Sequence, residues 1–293
     1  MPPLLTIHLV ILAWAFTAIL GKLISIPPVD MVVWRTGLAG TGFLFVSLAM
    51  GASVKIPFRD QLALFGIGVL LGLHWVLFFF SARLSTASIS LAALPTLMIW
   101  CSLIEPLVNG SRRWSRTELL VGVVTIGAVW LIYSVELRYW FGFSVGLLSA
   151  LFAALFSVSN KQLVHRFHFA PMCFYQMAGA CAVSWCLLPL VNGRILPAVP
   201  GAIDFGWLLI LSLGCTVLPY AGFVHVLRKM SIFTINVIYN LEPLYGILLA
   251  ALLFGATEKM TSGFYAGAAI IIVSVLMVPW LGKKPKATDI VAT

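Results

Sequence analysis

Ten stretches of about 20 predominantly apolar residues follow one another along this chain, and a helix of that length is what the hydrocarbon core of a bilayer requires. Read from breaker to breaker, they cover 4–25, 30–50, 61–82, 87–108, 117–135, 143–163, 170–190, 205–227, 233–254 and 262–281. Together they take about 200 of the 293 residues, which leaves no room for a soluble domain. Only 9% of the chain is charged, whereas a soluble domain carries about 25%. The runs are continuous rather than alternating, unlike barrel strands, and backbone in lipid must satisfy its own hydrogen bonds. The expectation is an all-α integral membrane protein of ten transmembrane helices. The first run has no basic leader and no cleavage site, so it is expected to remain as a span.

The net charge of +9 does not point to nucleic acid, because no basic face exists between the apolar runs. The basic residues sit in short connections and read as topology signals. With the N-terminus inside, 12 of the 18 Lys and Arg fall on the inner side, among them Lys55, Arg59, Arg166 and Lys229. Five fall outside (Lys22, Arg83, Arg138, Arg194 and Lys259), and Arg35 lies within the second run. Both termini are therefore expected to be cytoplasmic, in the inner or plasma membrane. The five cysteines show no C-x-x-C spacing and read as free buried thiols.

The two halves repeat. TAILGKLISIPP (17–28) and FSVSNKQLVHRFHFAP (156–171) each place a lysine, Lys22 or Lys161, just before a Pro-containing connection. The next runs hold RTGLAG (35–40) and QMAGA (176–180). The third and eighth end in ARLSTASIS (82–90) and LRKMSIFTIN (227–236). Five helices are an odd number, so the second half enters from the opposite side, giving two inverted five-helix repeats. The boundaries are 1–138 for the first repeat, 139–282 for the second and 283–293 for a short basic cytoplasmic tail.

With its two five-helix halves, LPTLMIW (94–100), LEPLYGILLA (241–250) and FGATEKMTSGFYAG (254–267), the chain resembles the EamA-type transporters of the drug/metabolite transporter superfamily. The resemblance makes Glu258 the acid and Gly267 the packing glycine of the family's ending. The first half departs from that pattern with Arg112 and Arg113, so this acid is not part of a symmetric pair. The resemblance implies export or exchange of small metabolites, amino acids or drugs by alternating access, often against protons.

The polar residues inside the runs are the candidates for function. Glu242 lies nine residues into its run, before Pro243. Pro frees a backbone carbonyl and kinks a helix, and a charge at mid-membrane costs about 2.5 kcal/mol or more. A carboxylic acid in such surroundings favours its neutral form, so Glu242 is either a proton-coupling group or a structural acid hydrogen-bonded to a neighbouring helix. Pro95 is the counterpart of Pro243, and both are candidate hinges. Glu105, before Pro106, lies near a helix end within reach of Arg112 or Arg113. His74, Trp75 and Phe78 share one helical face and suit a flat or apolar ligand, with His74 a second proton-coupling candidate; plain aromatic packing, with His74 bonded to a backbone carbonyl, is the alternative. Trp14, Trp100, Asn160, Tyr220, Tyr239 and Asn240 complete the candidate binding set, and His225 reads as interfacial. Arg35 is expected to pair with Asp30 or a backbone carbonyl.

The reading is a secondary active transporter with a central site bounded by helices 1, 3, 4, 6, 8 and 9. It exports a small amphipathic metabolite, an amino acid or drug-like compound being candidates, and proton coupling runs through Glu242 or His74. The rival is an organic-anion or phosphorylated-metabolite exchanger using Lys22, Lys161 and Arg35. A non-transporting membrane enzyme or scaffold is the reading from another class. No phosphate loop, metal cluster or catalytic triad is legible, so no cofactor, metal or enzymatic role is expected.

Overall fold

The computed structural model describes residues 2–108, 116–161, 163, 166–227, 229–230 and 238–281. Every element among them is helical. Helices α1 (Pro3–Leu23) and α2 (Pro28–Ala49) both begin on proline, whose fixed φ suits a first helical position and whose missing N–H is not needed there. α3 (Phe58–Leu84) follows Pro57. α4 (Ala87–Ala93) and α5 (Leu97–Val108) are separated by a single 3-10 turn at Leu94–Thr96, centred on Pro95. Then come α6 (Arg116–Val135), α7 (Trp140–Lys161) and α8 (Phe169–Asn192), the last stopped by Gly193 at φ 66°. α9 (Ala202–Leu209) runs through π-helical turns at Ile210–Val217 into α10 (Leu218–Leu227). α11 (Glu242–Phe254) and α12 (Ser262–Leu281) are the last helices among the described residues.

Among the described residues, seven helices are long and apolar enough to cross a membrane: Pro3–Leu23, Pro28–Ala49, Phe58–Leu84, Ala87–Val108, Leu137–Lys161, Phe169–Asn192 and Ala202–Phe223. Two further apolar helices, Leu120–Val135 and Ser262–Ser274, are shorter. They fall in two of the ten expected runs, and the remaining run, 233–254, begins outside the described residues. So do Arg112, Arg113, Trp114, Arg228 and the tail from 282. Large apolar side chains such as Leu107, Trp130, Leu218 and Leu252 are exposed on these helices. Such a surface is an aggregation hazard in water and the ordinary exterior of a multi-pass integral membrane protein.

Inside, the helices close on small residues. A Cβ at Gly68 of α3 would run into the carbonyl of Gln176, and one at Gly179 of α8 into that of Phe65. The α3 and α8 backbones touch directly there, the close approach that glycines permit in membranes. Phe43, Phe79, Phe143 and Phe264 are the largest fully buried side chains.

The connections sort onto two faces. One carries the starts of α1, α3 and α8. The other carries the ends of α1, α3 and α8, and it is bound by buried carboxylates. Asp204 accepts from Ser25 N (2.9 Å) and Oγ (2.5 Å). Asp30 accepts from Asn192 Nδ2 (2.6 Å), Arg194 Nη2 (2.9 Å) and Ala198 N (2.5 Å). Glu136 takes both the amide (2.8 Å) and the hydroxyl (2.9 Å) of Thr261. Glu258 accepts from the amides of Ala87 (3.0 Å) and Ser88 (2.9 Å) at the start of α4, with Lys22 at 3.8 Å. Arg83 donates to the carbonyls of Gly21, Ile24 and Ile26, closing the C-terminal end of α1.

The expected pairing of Asp30 with Arg35 does not occur. Five residues on a helix amount to roughly 500°, which points the two side chains to different sides. Glu105 accepts from Lys161 Nζ at 2.5 Å, and the arginines expected within its reach, Arg112 and Arg113, lie outside the described residues. Of the five thiols, Cys173 and Cys215 are buried, whereas Cys186 is exposed.

Candidate functional site

A cavity of about 550 Å³ lies where the helix breaks meet, a size typical of small-molecule sites. Its lining runs from mid-depth (Thr17, Arg35, Phe78, Glu242) toward the face that carries the N-terminus (Phe43, Cys173, Phe223), and it stops short of the other face. A chamber of about 90 Å³ adjoins it between Pro95 and Pro243. Both prolines border this chamber, each at an interruption of helix. At Pro243 the chain turns through Asn240 and Leu241, and α11 then starts afresh at Glu242. Pro243 thus occupies the first turn of a new helix, where its missing N–H costs nothing. The sequence suggested a kink within a continuous helix instead.

The walls are largely aromatic. Trp14 packs on Phe223 with ring centroids 5.5 Å apart and on Tyr239 at 5.8 Å, and Phe43 meets Tyr220 edge-on at 5.9 Å. His74 Nδ1 is 3.0 Å from the carbonyl oxygen of Ser149, and Ser149 Oγ donates back to the His74 carbonyl at 2.9 Å. A carbonyl can only accept, so this contact puts the proton on Nδ1 and leaves Nε2 as an acceptor when the ring is neutral. The expected backbone bond of His74 is therefore present while the same residue lines the cavity.

Two opposite charges stand in this apolar setting. Arg35 is 3% exposed. Its Cζ lies 3.8 Å from the centre of the Trp75 ring, a cation–π contact of about 2 kcal/mol when desolvated. Its Nε (3.2 Å) and Nη2 (3.1 Å) both donate to Thr216 Oγ1, while Nη1 has no hydrogen-bond partner. Glu242 lies at the N-terminus of α11, where the helix dipole favours an anion. It interacts electrostatically with Arg35, and no hydrogen bond to its carboxylate occurs among the described residues. Charges so placed in a membrane are costly and mark sites and pathways.

Of the candidate residues, Trp14, His74, Trp75, Phe78, Tyr220, Tyr239, Asn240 and Glu242 border the cavity. Trp100 does not. Leu97 and Met98 face the cavity, and Trp100 is roughly 250° around α5 from their mean direction. Asn160 also stands outside the lining, but its Oδ1 accepts from Gln176 Nε2 at 2.7 Å, and Gln176 is in the wall. Lys22 and Lys161 are engaged by Glu258 and Glu105 away from the cavity. Sequence reasoning passed over Gln176 and Thr216, gave the seventh run no part in the site and gave the second a part only through Arg35 in the rival reading. A signal existed: Arg35 and Gln176 open the matched segments RTGLAG and QMAGA.

The model of the EamA-like transporter family matches residues 140–280. The pseudopaline exporter CntI of Pseudomonas aeruginosa strain PAO1 is 30% identical over 213 residues, covering 71% of this chain and 70% of the exporter. Its counterpart in strain UCBPP-PA14 matches to the same extent. A solved crystal structure shares the fold, with a TM-score of 0.64 at 16% identity over 94% of this chain and 96% of that one. With an all-helical fold, broken helices around a central cavity and an exporter as relative, the chain belongs to the EamA-like transporter family.

Proposed function

We propose that the protein is a secondary active transporter of ten transmembrane helices in two inverted five-helix repeats. It exports a small amphipathic metabolite across the inner or plasma membrane by alternating access, with both termini in the cytoplasm. The observation that carries this reading is the aromatic cavity between two helix breaks, holding Arg35 and Glu242 unpaired with each other. Discontinuous helices at the bilayer midplane are where secondary transporters bind their cargo. The matched breaks at Pro95 and Pro243, and the matched positions of Arg35 and Gln176, support the repeat. The cavity lies toward the N-terminal face while the far face is bound by buried carboxylates, so this conformation loads from the cytoplasm. The relatives named pseudopaline exporters support outward movement.

Export against a proton gradient needs a group that binds either cargo or proton. Glu242 is suited to that role. Ionised, it attracts a cationic group on the ligand; protonated from the outside, it loses that attraction and the ligand leaves. Rocking of the two repeats about Pro95 and Pro243 then exchanges the open and closed faces. His74 is the second proton candidate.

Ligand-induced thermal stabilisation of the purified protein against a metabolite panel, at mildly acidic and mildly alkaline pH, tests this reading. A ligand whose stabilisation depends on pH in the wild type and not in Glu242→Gln supports it. Equal pH dependence in both removes Glu242 from the coupling step and moves the search to His74. Transport of none of the panel by reconstituted vesicles refutes the exporter.

A further inference from the structure

Resting on the transporter reading, we infer that Arg35 is the receptor for a carboxylate on the transported molecule, held ready by Thr216 and Trp75. Arg35 is the only Lys or Arg among the described residues lining the cavity. Its guanidinium is fixed on one face and one edge. Trp75 lies under it, and the Thr216 hydroxyl takes both Nε–H and one Nη2–H. Thr216 must act as the acceptor, because its own proton goes to the Leu211 carbonyl at 2.9 Å, five residues back. The π-helical turns at Ile210–Val217 create this spacing, and such turns recur at functional sites.

What remains is the end of the fork. Nη1 is buried without a partner, and Nη2 has a second hydrogen beside it. That edge matches the two oxygens of a carboxylate, the geometry in which arginine binds carboxylates with two parallel bonds. Among the described residues no hydrogen-bond acceptor fills it. Glu242 is felt electrostatically but gives Nη1 no hydrogen bond, and Asp30 is occupied by Asn192, Arg194 and Ala198. The aromatic walls take the rest of the ligand. The class is an organic acid with a flat apolar body, and Thr216 is a positioning residue for the arginine.

The test compares 3-phenylpropionate with its neutral isostere 3-phenylpropanamide, measured as concentration-dependent thermal stabilisation of the detergent-purified protein. The acid should bind about tenfold to a hundredfold more tightly than the amide in the wild type, as a charge-assisted hydrogen bond would provide. Arg35→Gln should erase that difference while leaving amide binding in place. Thr216→Val should narrow it and Thr216→Ser should restore it, a pattern that a merely structural threonine does not give. Equal binding of acid and amide by the wild type, binding of neither, or discrimination that survives in a folded Arg35→Gln protein overturns the assignment. Counterflow of 3-phenylpropionate in vesicles reads the parent proposal separately. Selective binding without movement of any solute fails the exporter and leaves the carboxylate site standing.

Discussion

Two regions of this molecule, the far face and the cavity, treat buried charge in opposite ways. On the face away from the N-terminus, Asp30, Asp204, Glu136 and Glu258 are all buried, and each has two or more hydrogen-bond donors. In the cavity, Arg35 keeps a nitrogen without an acceptor and Glu242 has no donor among the described residues. The first arrangement is what a carboxylate needs to be tolerated out of water. The second is what our proposal requires of a site that completes its bonding with something brought from outside. Charge alone does not mark function in a membrane protein. Charge left incomplete is the mark on which the proposal rests.

That contrast can be broken by substitution. The largest effect is expected at Asp30. Asp30→Ala removes three hydrogen bonds and strands Arg194, and it should lower stability by about 3–5 kcal/mol, read as a large drop in melting temperature in detergent. Wild-type stability would show that the far face is not held by its acids. Next comes Gly68→Val, which forces side-chain atoms against the Gln176 carbonyl and should cost about 1–3 kcal/mol by the same measurement. Glu242→Gln is the sharpest comparison with Asp30. Its melting should stay within about 1 kcal/mol of wild type, since no bond is lost, while efflux from vesicles falls by about tenfold or more. A strongly destabilised Glu242→Gln protein would place Glu242 with the structural acids. The smallest effect belongs to Lys161→Gln. Its side chain is 67% exposed while that of Glu105 is 9% exposed. Water screens the lysine end and glutamine keeps an N–H donor for the acid, so the loss should be no more than about 1 kcal/mol. Stability and transport should both persist, and loss of transport would revive the anion-exchanger reading that employs this lysine.

Much of the architecture is legible before any coordinates, because solvent imposes it. Apolar runs of membrane length can only be helices, and the prolines within the runs mark where a helix is disturbed, although not how. Pro95 sits in a 3-10 turn and Pro243 in the first turn of a new helix, while Pro189 lies inside α8 without ending it. Residues that share a helical face with others, such as His74, Trp75 and Phe78, are readable for the same reason. Partnership across the chain is not. Arg35 meets Thr216 at a separation of 181 residues, and only the π-helical turns bring that hydroxyl round to it. Asp30 looked like the natural mate because it is near in sequence, yet its partners lie 162 to 168 residues away. Trp100 falls outside the lining for a local reason: the 3-10 turn at Leu94–Thr96 changes the rotational phase of the helix that follows, so its direction does not follow from the sequence upstream.

The α3–α8 contact has a mechanical consequence. Where Gly68 and Gly179 let two backbones touch, no layer of side chains lies between them to be rearranged. A joint without side chains has no rotamers to change and no gaps to refill when its partners tilt. It also resists pulling apart, since each carbonyl already rests against the opposite chain. The rocking we propose would therefore meet least resistance as a tilt about this seam, with the helix breaks at Pro95 and Pro243 flexing on the cavity side.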